Sequence, residues 1–191
     1  MKNNYSDYLI KNINRIEYNF NILKDKKIIN EINIAANILV NCIKNKNKIL
    51  LCGNGGSASD SNHIAAEIVV RFLKNRKALP AISLATNNAV ITAISNDMSY
   101  NKIFSRQIEA LGKKNDVLIA LTTSGKSQNV LEALKKAKKK KMKIIFLTSK
   151  KCNHKINSDC IIKVPSLRVD RAQEMHIAIG HLLCDILEKS L

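Results

Sequence analysis

Five short runs are apolar almost without interruption: "KILLC" at 48–52, "AISL" at 81–84, "DVLIALT" at 116–122, "KIIFLTS" at 143–149 and "CIIKVP" at 160–165. A strand with one wet face alternates apolar and polar residues, whereas a strand that is apolar throughout is covered on both faces. Strands of the second kind, separated by segments of helical spacing, imply a parallel sheet with helices on either side. The predicted fold is therefore α/β, a doubly wound sandwich. In such sheets ligands bind beyond the carboxyl ends of the strands, and two strand-to-helix turns there carry polar chemistry, at 53–57 and at 122–127.

Two amphipathic stretches precede the first run. Tyr8, Ile10, Ile13, Ile16 and Phe20 recur at helical spacing, as do Ile32, Ile34, Ile38 and Val40, with a join near 24–27. Further helices are predicted from near 57–60, over "NNAVITAISND" at 87–97, and after the loop that opens "TSGKSQNVLEALKKAKKK" at 123–140. A helix of about two dozen residues starts near Asp170. With 191 residues, 46% of them apolar, the chain suits one domain with a sizeable core. Its first twenty residues are too interrupted by Asn, Lys and Glu for a signal peptide, and no apolar run approaches bilayer length; a cytoplasmic protein without membrane attachment is expected.

The formal net charge of +17 invites a nucleic-acid reading. Much of it sits in "KKAKKKKMK" at 135–143, where lysines suit a helix C-terminus and a solvated face. The few aromatics are not interleaved with the basic residues, so stacking platforms are missing and a nucleic-acid partner is not expected. The five cysteines are scattered without a CxxC pair, which argues against a zinc knuckle or disulfide framework. Cys42, Cys52, Cys160 and Cys184 sit in apolar segments and read as core; Cys152 lies in a polar loop and reads as exposed.

In "TTSGKS", the hydroxyls of Thr122, Thr123, Ser124 and Ser127 surround Gly125 at a helix start. Unpaired N–H groups and the helix dipole make such a place an anion cradle, although a plain N-cap uses the same residues. GxxxxGK[ST] is absent, so nucleotide hydrolysis is not indicated. In "CGNGG", Gly53, Gly55 and Gly56 permit a tight turn, and the Asn54 carboxamide can bond a sugar hydroxyl or carbonyl; Ser59 stands where a dinucleotide fingerprint needs its third glycine. His63 and Glu67, four apart, share a helical face and could share a proton or a metal, or form a surface ion pair. In the last helix Asp170, Arg171, Gln173, Glu174, His176 and His181 interrupt an apolar pattern. Gln173 and His181 are separated by about 12 Å of helix axis, and spacing does not choose between His176 and His181.

Taken in order, "CGNGGSASDSNHIAAE", "AISND", "TTSGKS" and "RAQEMHIAIGH" resemble the sugar isomerase (SIS) domain family, and within it the phosphoheptose isomerases. The resemblance covers most of the chain and implies a flavodoxin-like three-layer α/β/α sandwich as a single domain over 1–191, with the N-terminal helices, 1–46, as an oligomerisation element before the 47–191 core. It further implies a homotetramer with active sites between subunits. Carried across, it assigns Asn54, Gly55, Gly56, Ser57, Asn96, Asp97, Asp170 and Gln173 to the substrate, Thr122, Thr123, Ser124 and Ser127 to its phosphate, and His63, Glu67, Gln173 and His181 to one Zn2+ per subunit. Glu67 also belongs with the substrate and, with His181, is an acid–base candidate. Lys126 stands where Asn is more usual, adding charge near the phosphate, and Thr122 replaces a common Ser.

The implied reaction interconverts sedoheptulose 7-phosphate and an aldoheptose 7-phosphate, D-glycero-D-manno-heptose 7-phosphate, at the start of bacterial heptose synthesis for surface polysaccharide. It needs a base, an acid and stabilisation of an enediolate oxygen. Glu67 would carry the carbon-bound proton and His181 serve the oxygens, or a metal would polarise them. A non-catalytic relative that associates with the DnaA replication initiator, or an isomerase of another sugar phosphate, is the alternative; the presence of both Glu67 and His181 favours the enzyme.

Overall fold

The computed structural model describes residues 4–153 and 155–191; positions 1–3 of the N-terminal element fall outside the described residues. In chain order the elements are α1 (Ser6–Ile22), α2 (Lys26–Lys44), β1 (Ile49–Cys52), α3 (Gly56–Val69), β2 (Ala81–Ser83), α4 (Asn88–Asp97), a 3₁₀ turn (Tyr100–Lys102), α5 (Ile103–Leu111), β3 (Val117–Leu121), α6 (Gln128–Lys139), β4 (Lys143–Ser149), β5 (Cys160–Val164) and α7 (Val169–Lys189).

The strands form one parallel sheet in the order β2-β1-β3-β4-β5. Their continuous apolar runs serve two cores. Ile49, Leu51, Ile119, Leu121, Ile145 and Leu147 point into a core shared with α2, α3 and α7. Leu50, Cys52, Leu118, Ala120, Ile144 and Phe146 point into a second core with α5 and α6. This period-2 division between faces makes the three-layer sandwich. Each of the leucine, isoleucine and phenylalanine side chains contributes about 1.5–3 kcal/mol on full burial.

Helix boundaries follow local chemistry. The Asp25 carboxylate accepts from the Lys27 N–H and starts α2, and Asn87 does the same for α4 through Val90. Lys136, Lys138 and Lys139 occupy the last turn of α6, where cations complement the dipole. On α2 the buried stripe is Ile28, Ile32, Ala35, Ala36, Leu39 and Cys42, while Ile34 is exposed. The short α5 has no counterpart among the predicted elements.

One expectation is corrected. Cys152 is buried rather than exposed, because its side chain lies directly under Gly125. On α1, Tyr8, Ile10, Ile13 and Phe20 are all exposed. Among the described residues, no helix is long and apolar enough to cross a membrane.

Candidate active site

The sheet order reverses between β1 and β3, because β1 connects outward to β2 and β3 outward to β4. Connections leaving in opposite directions open a crevice at the carboxyl ends of those two strands. The turn 53–57 and the loop 122–127 are the segments that leave those ends.

A reciprocal carboxamide pair ties the two together. Asn54 Nδ2 donates to Asn129 Oδ1 and Asn129 Nδ2 donates to Asn54 Oδ1, each at 2.8 Å. The Tyr100 hydroxyl donates to Asn54 Oδ1 at 3.0 Å, which draws in the end of α4, where Asn96 Nδ2 donates to Asp97 Oδ1 on the exposed surface. Asn54 is therefore held by partners 75 and 46 residues away. Sequence spacing carries no signal for either.

The loop after β3 is organised by its hydroxyls. Thr122 Oγ1 and Ser127 Oγ are 3.2 Å apart, the Lys126 N–H donates to Ser124 Oγ, and Ser149 Oγ donates to the Thr123 carbonyl at 2.6 Å. Gly125 has φ +69°, and a Cβ there would fall 2.4 Å from Cys152 Sγ. Both the backbone region and the lack of space thus require glycine. Ser127 makes no side-chain cap to α6, and the Val130 N–H in the first turn of that helix donates to Asn129 Oδ1 at 2.9 Å. Lys126 is exposed.

The other half of the site is the seam between α3 and α7, which run side by side in the same direction. Gln173 Nε2 donates to Asp60 Oδ1 at 3.0 Å and lies 3.4 Å from the Gly56 carbonyl. A Cβ on Gly180 would come within 2.5 Å of Ile64 Cδ1, so the helices approach closely there. Beside that contact, His63 Nε2 and His181 Nε2 are 2.9 Å apart, and Glu67 Oε1 is 3.5 Å from His63 Nε2. Further along, Phe72 stacks on His181, with ring centroids 5.5 Å apart and planes at 29°.

His63, Glu67 and His181 thus meet, while Gln173 stands about two turns of α7 before His181, against Asp60. His176, the other candidate in the last helix, is fully buried and bonds the Thr148 carbonyl; burial takes it down to about 4, against that hydrogen bond. Asp170 is exposed and paired with Arg168, whose guanidinium holds its carboxyl at about 2. Among the described residues, no three His, Cys, Asp or Glu side chains stand in metal-holding geometry. By type, two imidazoles facing each other with a carboxylate alongside and a carboxamide on the same seam are donors that suit zinc.

Three polar residues of this region carry no sequence signal. Asp60 is buried at the start of the seam; burial raises its carboxyl, and the Gln173 hydrogen bond and the nearness of His63 and His181 only partly oppose this. Glu188 and Arg76 sit at the far end. The Glu188 carboxylate accepts from the N–H groups of Phe72, Leu73 and Lys74, at 2.6, 2.8 and 2.9 Å, and from Arg76 Nε at 2.9 Å. Burial by itself raises Glu188, but these donors outweigh it and bring the carboxyl from an ordinary 4.5 to about 2. A folded-state value below the unfolded one stabilises the fold above the unfolded value, and the contribution disappears as pH falls toward the folded one. Replacing Glu188 by Gln is therefore expected to cost about 2–4 kcal/mol near neutral pH. Thermal melting from pH 7 to pH 3 should show the difference from wild type shrinking with acidification; a constant difference would contradict this account.

The SIS domain family model matches residues 21–149. A phosphoheptose isomerase of Clostridium acetobutylicum is 50% identical over 177 residues, 92% of this chain and 90% of that protein. One from Helicobacter pylori strain 26695 is 49% identical over 156 residues, 81% of each. The solved structure of a phosphoheptose isomerase from Francisella tularensis is similar with a TM-score of 0.91 and 33% identity, covering 98% of this chain and all of that one. That from Neisseria gonorrhoeae gives 0.89 and 33%, covering 97% and 100%. The parallel sheet, the paired turns at its switch point and these likenesses agree: the chain belongs to the SIS domain family and, within it, to the phosphoheptose isomerases.

Proposed function

We propose that this chain isomerises sedoheptulose 7-phosphate to D-glycero-D-manno-heptose 7-phosphate, the first step of bacterial heptose synthesis. The observation that carries the reading is the meeting of His63, Glu67 and His181 on the α3–α7 seam, on the helix that leaves the Gly turn. His63 lies seven positions beyond Gly56 on α3, about 10 Å along the axis, a span suited to an extended sugar phosphate.

In this reading Thr122, Thr123, Ser124 and Ser127, with the first N–H groups of α6, bind the phosphate, so that its binding energy positions the distant reacting carbons. Asn54, Gly55, Gly56, Ser57, Asn96, Asp97, Asp170 and Gln173 serve the sugar. Glu67 takes the proton from C1 of the ketose and returns it to C2, while His181 gives a proton to the C2 oxygen and receives one from the C1 hydroxyl. The enediol forms and collapses with no net change in protons. His63, Glu67, Gln173 and His181 would hold a zinc ion, which supplies Lewis-acid polarisation of the sugar oxygens.

Apolar side chains left exposed on α1, including Tyr8, Leu9, Ile10 and Ile13, together with Leu182 on α7, support assembly with further copies of the chain. A homotetramer with 1–46 at its interfaces and sites completed between subunits is the proposed form, working in the cytoplasm.

The test is turnover of sedoheptulose 7-phosphate by the wild-type chain, with hexose and amino-sugar phosphates in parallel. Turnover of the heptose alone supports the reading. Turnover of another sugar phosphate instead, or of none by correctly folded protein, overturns it and leaves the other isomerase or the initiator-binding role. Lys126→Ala is expected to raise KM about threefold at low salt and less at high salt, since an exposed charge is screened. A KM independent of both would take Lys126 out of phosphate binding.

A further inference from the structure

The segment that follows α3 has no regular structure of its own, and Val70 and Leu73 within it are exposed. Phe72 and Leu79 pack, half-buried, against the core. The backbone at 72–74 is held in addition by one buried carboxylate. Three successive N–H groups, of Phe72, Leu73 and Lys74, converge on Glu188 in the last turns of α7, the arrangement in which backbone donors enclose an anion. Arg76 completes the arrangement in two directions. Its Nε donates to Glu188, and its Nη2 donates at 2.8 Å to the carbonyl of Glu67.

The residues secured in this way belong to the catalytic seam. The ring of Phe72, whose backbone N–H is held by Glu188, lies against a face of His181, while His63 meets the His181 imidazole edge-on with centroids 5.1 Å apart. The Glu67 carbonyl, held by Arg76, belongs to the last turn of α3, whose side chain is the other half of the acid–base pair. A carboxylate placed only to tie down a loop need not connect to both members of that pair.

We infer that Glu188 and Arg76 are positioning residues for the isomerisation, holding Phe72 against His181 and the end of α3 at Glu67 so that the acid–base pair is aligned before substrate arrives. This rests on the reading of Glu67 and His181 as that pair. The clamp acts on orientation, so its loss should lower kcat and leave sugar-phosphate binding largely intact.

The experiment uses the full-length chain in its assembled form and the variants Phe72→Leu, Phe72→Tyr and Glu188→Gln. Two quantities are read: kcat and KM for sedoheptulose 7-phosphate, and the ring resonances of His181 by NMR of histidine-labelled protein, a chain with four histidines. Phe72→Leu and Glu188→Gln are each expected to lower kcat about tenfold with KM within about twofold, and to move the His181 resonances as the ring current of Phe72 is removed or displaced. Phe72→Tyr, which keeps the ring, should restore both. The inference is overturned if Phe72→Leu keeps wild-type kcat, or if activity falls while the His181 resonances stay in place. Should Glu188→Gln fail to fold, the Phe72 pair still decides. If wild type turns over no heptose phosphate, the catalytic reading has failed separately, and unmoved His181 resonances in the variants would dispose of the clamp too.

Discussion

Glu67→Gln is expected to lower kcat/KM for sedoheptulose 7-phosphate by about 10²–10⁴-fold, the usual contribution of a positioned general base, with most of the loss in kcat. The amide keeps the shape of the side chain and cannot take up a carbon-bound proton at neutral pH. Glu67 is half-buried and its side-chain contact is to His63 at 3.5 Å, so no core packing depends on its charge. The melting temperature should therefore stay within about 2 °C of wild type, consistent with small stability effects away from buried networks. Steady-state kinetics and a thermal melt on the same preparation test this. Activity within tenfold of wild type in well-folded protein would remove Glu67 from the proton transfer.

Gly180→Ala is expected to have the next largest effect. The added methyl would lie 2.5 Å from Ile64 Cδ1 and 2.7 Å from its Cγ1, and Ile64 is only 2% exposed, so the side chain has little room to yield. Over-packing of this kind costs about 1–3 kcal/mol, offset in part by the better helix propensity of alanine, about 1 kcal/mol. Stability should fall modestly. Activity should fall much more, because the neighbours in sequence of the colliding residues are His181 and His63. Separating the helices enough to admit a methyl group separates those rings, and a displacement near 1 Å can cost about 10²-fold. Ile64→Val in the same chain removes the Cδ1 methyl and should restore a substantial part of turnover, a coupling between contacting residues that a double-mutant cycle measures. Failure of Ile64→Val to restore any activity would mean that Gly180 acts by another route.

The architecture was legible because strands buried on both faces leave continuous apolar runs in the chain, and all five runs are strands. The short α5 was not, since its nine residues fall short of the roughly 11–18-residue window over which helical spacing is read. His63 and Glu67 could be paired from spacing, because i and i+4 lie together on any helix. The choice between His176 and His181 could not be made that way: it depends on which side of α7 meets β4 and which meets α3, a matter of packing between distant segments. Asn129, Asp60 and Glu188 were invisible for the same reason, each being recruited by a partner far along the chain. Cys152 sits in a polar stretch, and its burial comes from Gly125, 27 positions earlier, leaving space for it.

The parallel seam of α3 and α7 constrains how genes for such a chain can vary in length. Contacts occur at matched heights, from Gln173 with Asp60, through Gly180 with Ile64 and His181 with His63, to Glu188 with the segment after α3. One codon gained or lost within either helix turns everything beyond it by about 100°. A deletion near residue 178 would leave Gln173 in place and carry His181 and Glu188 away from their partners together. Length variants should therefore survive in the connections outside 56–76 and 173–188, and be purged within them even where the inserted residue is a good helix former.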